Sequence, residues 1–324
     1  MNSIKIYVVL LLLTGSLRVS AQTDDTPASI VTKASEQSKK PYYMGLTARK
    51  DPLPLYTAAD SLARATGNIP ARAVINEGMG FCYYLKDADK CIKYYLAAYD
   101  LFNEAGIKMR SAQCLHNIAF AYEEQKSNTP EALKYTKLAI QARTELKDTL
   151  SMANMLKYAG YLEGKLHDFT IAKKDVAEAV RMYTLKKSMA GAAVSYHDLA
   201  LIYDEEHKPD SCIASIVHAK NIWMSDTKSD TSRIFNANNI MLRVYTSQNN
   251  LHDAEAVFGE NNAMVNSDAM QDTRRAYMDI LDFYKNSAAY FGKKSDPKTA
   301  EEYNAKYNAY KNELQQHGYH LEGY

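Results

Sequence analysis

His197-Asp198 is the residue pair in this sequence best suited to acid–base chemistry, a base beside a carboxylate that could orient it. Adjacent residues on a helix point about 100° apart, so the two are not expected to form a relay with each other. Asp204, Glu205 and Glu206 could offer oxygens to a hard cation, but they match no calcium-loop spacing and read as a solvated charged turn. Cys82, Cys91, Cys114 and Cys212 match no zinc motif. There is no His-Glu-x-x-His, phosphate-binding glycine loop, nucleophile elbow or dinucleotide fingerprint. No catalytic residue, metal site or cofactor is therefore expected, and an enzyme on this chain has weak support. Recognition chemistry is better supplied. Tyrosine occurs 25 times against 8 Phe and 1 Trp, and a phenol packs its ring while its hydroxyl still reaches a partner.

The elements that would position these residues are set by a period. Cys91, Ala132, Ala172, Cys212 and Ala254 are separated by 41, 40, 40 and 42 residues. Self-similarity at such a period marks a stacked-repeat protein. The second repeat shows the pattern. Leu115, Ile118, Ala119 and Tyr122 share one helical face, Ser127-Asn128-Thr129-Pro130 makes a turn, and Ala132, Leu133, Thr136, Ala139 and Ile140 form a second stripe. Small residues let the two helices approach, and Leu115, Tyr122 and Tyr135 fill the gaps. Each hairpin carries apolar residues on more than one face, so it can bury them only by stacking on its neighbours. The reading is all-α, a solenoid of helical hairpins.

These hairpins resemble tetratricopeptide repeats. Tyr196, Leu199-Ala200, Tyr203, Cys212, Ile216 and Ala219 follow that family's series of aromatic, Leu-small, Tyr, small, aromatic and small positions, with Ile216 where an aromatic is usual. Asp168-Phe169 with Ala172 resembles its turn into the second helix. The family period is about 34 residues. A period of 40–42 is similar to the long-repeat subclass of kinesin light chains and many bacterial sensors, and the surplus is expected between units, near Glu104–Ile107 and Glu145–Asp148.

The resemblance implies a right-handed superhelix whose first helices line a concave groove that binds a protein or peptide. Carried across unit by unit, it gives Asn76 and Tyr83, then Gln113, His116, Asn117 and Phe120, then Asn154, Lys157 and Tyr161. His197 and Leu201 follow in the fourth unit, and Asn236, Asn239 and Arg243 in the fifth. Asn amides would hold a peptide backbone, and Phe120, Tyr161 and Leu201 would form an apolar floor. Other members that bind acidic C-terminal tails use several groove cations. Here only Lys157 and Arg243 qualify, so that clamp is not expected.

Residues 1–21 read as an export signal: Lys5, an apolar run from Ile6 to Leu13, and Val19-Ser20-Ala21 before a cleavage point at Gln22. That places the mature protein in the periplasm or outside the cell, with no membrane span after signal removal. Lys5 and Arg18 are the charges of that segment, so its loss takes the net charge from +1 to −1. A chain with no basic excess is not expected to bind nucleic acid. An exported chain with four cysteines invites a disulfide, and Cys82 with Cys91 is the pair best placed for one; the competing reading is four small buried hydrophobes. Residues 22–50 are expected to form a polar arm, 51–290 the array, with Asp51 capping its first helix, and 291–324 a capping helix bearing Ala300, Tyr303, Tyr307, Tyr310 and Leu314 on one face. That helix could alternatively dock a second chain. Two functions stand beside each other: a partner-binding scaffold, and a sensory component acting through a separate membrane partner.

Overall fold

Helix-stop signals recur along this chain every twenty residues. Ser127, Lys147, His167, Lys187 and His207 each have positive φ, between 48° and 61°. The computed structural model describes residues 52–84, 86–225, 231–265 and 274–317. The export signal, the polar arm and the expected cap at Asp51 lie outside the described residues. Within them lie thirteen helices and no strand. They are α1 (Leu53–Ala65), α2 (Ile69–Tyr83), α3 (Ala88–Glu104), α4 (Lys108–Lys126), α5 (Thr129–Glu145), α6 (Thr149–Lys165) and α7 (Phe169–Leu185). The remainder are α8 (Met189–Glu205), α9 (Pro209–Ser225), α10 (Thr231–Ser247), α11 (Leu251–Val265), α12 (Arg274–Lys293) and α13 (Pro297–Gln316).

From α5 to α9 every helix has 17 residues, and three residues separate each from the next. The surplus over a 34-residue period therefore lies inside the helices, not between units as expected. Each turn follows one rule. The residue after the left-handed one donates its N–H back to the carbonyl five residues earlier: Asp148 to Arg143 at 3.0 Å, Asp168 to Glu163 at 2.9 Å, Ser188 to Tyr183 at 2.8 Å. This satisfies carbonyls that the helix end leaves open. At Asp148 and Asp168 the same residue then caps the next helix, its carboxylate accepting from the N–H of Ser151 at 3.3 Å and of Ile171 at 3.4 Å. Such a cap contributes about 1 kcal/mol.

The described residues divide into two compact units, one ending at Met155 and the other beginning at Leu156, with the division inside α6. In the first, Tyr56, Ala59 and Ala63 of α1 pack on Ile75, Met79 and Cys82 of α2. Ala98 and Phe102 of α3 meet Ala73 and Cys114, and Leu115 of α4 meets Ala139 and Met155. In the second, Ala172 and Val176 of α7 pack on Ile202 of α8. A larger core joins α8 to α12 and takes in Tyr303 of α13. Phe258, Phe283, Tyr290, Phe291 and Tyr303 interlock there at centroid distances between 4.9 and 6.1 Å. Farther along α13, Tyr307, Tyr310 and Leu314 lie on Leu281 and Tyr277 of α12. The expected face of the final helix is thus laid on its own chain.

The five recurring small residues are all 0% exposed. Gly160 shows how close the facing helix comes to one of them, Ala172. A Cβ at Gly160 would come 2.9 Å from the Ala172 carbonyl oxygen and 2.3 Å from Val176 Cγ2. None of the four cysteines is joined in a disulfide, and all are buried; Cys91 and Cys212 occupy two of the five small positions. Among the described residues no helix is long and apolar enough to cross a membrane.

Candidate interaction faces of the first helices

In the first unit the expected groove residues lie on α2 and α4 and at the start of α6. Asn76 is 6% exposed and its amide donates to the Arg72 carbonyl at 2.8 Å, so it is corrected from a partner contact to an internal one. Its polar group sits on a helix face otherwise filled by Ile75 and Met79. Tyr83 turns to the second helix of its hairpin. Its ring stacks on Tyr94 at 5.5 Å, with the Lys90 ammonium 5.3 Å from its centre. Gln113 donates to Asn117 at 3.1 Å and accepts from Arg143 at 3.0 Å. Arg143 is buried on α5 and also pairs with Asp148 at 2.8 Å. One turn along α4, His116 and Phe120 stack at 4.8 Å with planes 8° apart, both half-buried. Asn154 is exposed on α6.

In the second unit the expected residues are drawn into a ladder. Lys157 of α6 pairs with Asp198 of α8 at 3.5 Å. Asp198 Oδ1 lies 3.4 Å from His197 Nδ1, so the side chains bend together more than their positions on the helix suggest. His197 Nε2 lies 2.8 Å from Asn236 Oδ1 on α10, and Asn236 Nδ2 donates to Asp279 of α12 at 2.6 Å. Asn239 donates to the Asp279 carbonyl at 2.7 Å and accepts from Asn261 at 2.9 Å. Asn261 lies on α11 and binds Asn238, which reaches Glu260 at 2.9 Å. Asn239, at 3% exposure, is the second correction: its amide is consumed inside the protein. A buried amide left without partners would cost more than its bonds return, so this cluster joins three helices at a defined register.

Arg243 grips Asp204 with both nitrogens, at 3.0 and 2.6 Å. Burial opposes the Arg243 charge, yet the hydrogen bonds and charge of Asp204 hold its pKa above the ordinary value. Lys157 and Arg243 therefore each have a carboxylate of their own. Burial pushes the Asp282 carboxyl of α12 up, against the pull of Lys285 and Arg243. Apolar surface on the same helices comes from Tyr161, 42% exposed and stacked on Tyr158 at 6.0 Å, and from Leu201, 38% exposed.

Asp279, Asn238 and Asn261 escaped the sequence reading. Asp279 had a signal, since it lies about one repeat from its partners Asn236 and Asn239, as Asp198 does from Lys157 and Arg243 from Asp204; Asn238 and Asn261 pair within one hairpin and had none of this kind. Among the described residues no three His, Cys, Asp or Glu are arranged to hold a metal ion.

No family model matches the sequence, and no curated protein matches it. Solved structures do. The apo form of RapI is 13% identical, with 90% of this chain and 99% of that chain covered and a TM-score of 0.63. A Rap protein complexed with competence and sporulation factor is 16% identical, with 90% and 76% covered and a TM-score of 0.53. A STAND protein with a tetratricopeptide repeat sensor, from Pyrococcus horikoshii, is 16% identical with a TM-score of 0.66; 91% of this chain and 44% of that longer protein are covered. At such identities the likeness shows the fold, a tetratricopeptide-like helical repeat, and leaves function to the residues.

Proposed function

We propose that this protein is an exported helical-repeat scaffold that binds a peptide or an extended protein segment on the faces of its first helices. The observation that carries it is Tyr161 and Leu201. They occupy equivalent positions 40 residues apart and keep large apolar side chains exposed on helices that also carry the ion-paired Lys157, Asp198 and Asp204. Exposed rings and aliphatics beside a satisfied polar rim are the usual anchors of an interface. Phe120, braced by His116, is the corresponding anchor of the first unit. Two similar structures support a peptide as ligand, the Rap protein with competence and sporulation factor and a Rap conjugation regulator with the Phr* peptide. The signal-like first 21 residues support export.

The test is recovery of partners from the native compartment by wild type and by Phe120→Ala plus Tyr161→Ala. The variant is expected to lose one or more partners; equal recovery of every partner by both forms would refute the anchors. Amino-terminal sequencing of the protein from that compartment is expected to begin at Gln22. The sensory reading draws on the repeat sensor of the STAND protein. It predicts that the lost partner fractionates with membranes.

A further inference from the structure

In the first unit α3, α4 and α5 border a cavity of about 340 Å³. Lys108, Ser111 and Leu115 reach it from α4, spaced three and four residues apart and so on one face, turned away from Gln113, Asn117 and Phe120. Leu115, 4% exposed, closes its floor beside the Tyr99 ring, and Leu138, 42% exposed, stands at its mouth. The polar lining is sorted by helix. On the α3 and α4 side, buried Ser111 gives its hydroxyl hydrogen to Asn103 Oδ1 at 2.7 Å, which leaves the Asn103 amide nitrogen and the Lys108 ammonium as donors. On the α5 side, Gln141 gives its amide nitrogen to Glu145 at 3.5 Å, which leaves the Gln141 carbonyl oxygen and the Glu145 carboxylate as acceptors. Lys108 and Glu145 are the charged residues of the lining, and among the described residues neither has an ion-pair partner. The neighbouring Arg110 and Arg143 are paired with Glu77 and Asp148, and Glu104, Lys137 and Lys147 do not line the cavity.

We infer that this cavity binds a free α-amino acid with a large apolar side chain. Its carboxylate is taken by Lys108 and the Asn103 amide, its ammonium by Glu145 and the Gln141 carbonyl, and its side chain lies on Leu115, Leu138 and Leu146. One cation and one anion on opposite sides of a cavity complement a zwitterion. An apolar carboxylic acid would leave Glu145 without a cation, and an apolar amine would leave Lys108 without an anion. The volume falls at the small end of the range for ligand sites, about 300–1,000 Å³, and suits one residue with a side chain the size of leucine or phenylalanine. The site adds a second ligand to the peptide-binding reading and does not rest on it, because it uses the other face of α4.

The experiment is calorimetric titration of the full chain, and of Lys108→Gln, Glu145→Gln and Leu138→Ser, with leucine, phenylalanine, N-acetylleucine and leucinamide. The three positions are exposed, and circular dichroism confirms that each variant melts as a folded protein. Wild type is expected to bind leucine or phenylalanine with a Kd below about 1 mM. N-acetylleucine and leucinamide, which keep the apolar body and one charge each, are expected to bind about fivefold more weakly, and each substitution to weaken amino-acid binding by about the same factor. Lys108→Gln should leave leucinamide binding unchanged, and Glu145→Gln should leave N-acetylleucine binding unchanged. No binding of either amino acid up to about 10 mM, analogues that bind as tightly as leucine, or amino-acid binding indifferent to any one of the three substitutions would overturn the inference. Each of those results leaves the peptide reading standing, since that is judged by the Phe120 and Tyr161 variants.

Discussion

Asn236 points its carbonyl oxygen at His197, 2.8 Å from Nε2, because its amide nitrogen is held by Asp279 at 2.6 Å. A carboxylate only accepts, so it fixes which end of the amide faces each neighbour, and His197 must carry a proton on Nε2. With its outer nitrogen spent as a donor, His197 serves as a link between α8 and α10.

Replacing Asn236 by Asp removes that donor and sets two carboxylates together. The expected loss is about 2–3 kcal/mol at neutral pH, read by urea denaturation. Two such carboxylates share a proton, so the folded pair binds protons more readily than the unfolded chain. Stability then falls as pH rises, and the defect should shrink toward pH 5. An equal defect at both pH values would contradict the bond to Asp279.

Gly160 and Gly164 lie one turn apart on α6 and should respond in opposite directions. A Cβ at Gly160 collides with the Ala172 carbonyl oxygen, whereas at Gly164 it meets only Ile202 Cγ1 at an ordinary 3.5 Å. Gly160→Ala is expected to cost about 2 kcal/mol by overpacking. Gly164→Ala should gain up to about 1 kcal/mol from helix propensity. Denaturant midpoints of the two variants decide it.

Lys187 holds φ at 56°, a conformation glycine adopts without strain. Lys187→Gly is expected to stabilise the protein by about 1 kcal/mol, and Gly106→Ala, at φ 72°, to destabilise it. A lower midpoint for Lys187→Gly would show that its side chain contributes more than its backbone costs.

Thiol chemistry separates the two readings of the cysteines. Burial pushes the Cys91 thiol up to about 11 and the Cys212 thiol up to about 12. A disulfide-exchange reagent at pH 8 should therefore leave the native protein unmodified and titrate four thiols in urea without reductant. Two thiols would indicate a Cys82–Cys91 bridge.

Asp282 makes a prediction about pH. Its folded pKa is raised, so its protonated form favours folding; that contribution is present below the unfolded pKa and is lost as pH rises through the folded one. Asp282→Asn should be more stable than wild type at neutral pH and equal to it at pH 3.

The period was legible because a small residue recurs where the helices bury it completely: Cys91, Ala132, Ala172, Cys212 and Ala254 are all fully buried. The turns at Glu145–Asp148 and before Asp168-Phe169 were legible as well; their strict twenty-residue spacing was not, because the left-handed positions are occupied by Lys147, His167, Lys187 and His207, where glycine would have announced each turn. Asn76 and Asn239 were placed on the first helices, but helical spacing assigns a direction and not a depth. Their burial depends on neighbours that spacing alone does not place, including Asp279, 40 residues from Asn239.

Asp148 and Asp168 each end one helix and begin the next. Three consecutive residues therefore decide the direction of the following helix before any distant contact exists. Within each unit the packing partners are mostly a neighbouring helix or a neighbouring hairpin, so the loops to be closed on folding are short. Contact order is correspondingly low, and any hairpin can serve as the nucleus on which its neighbours condense.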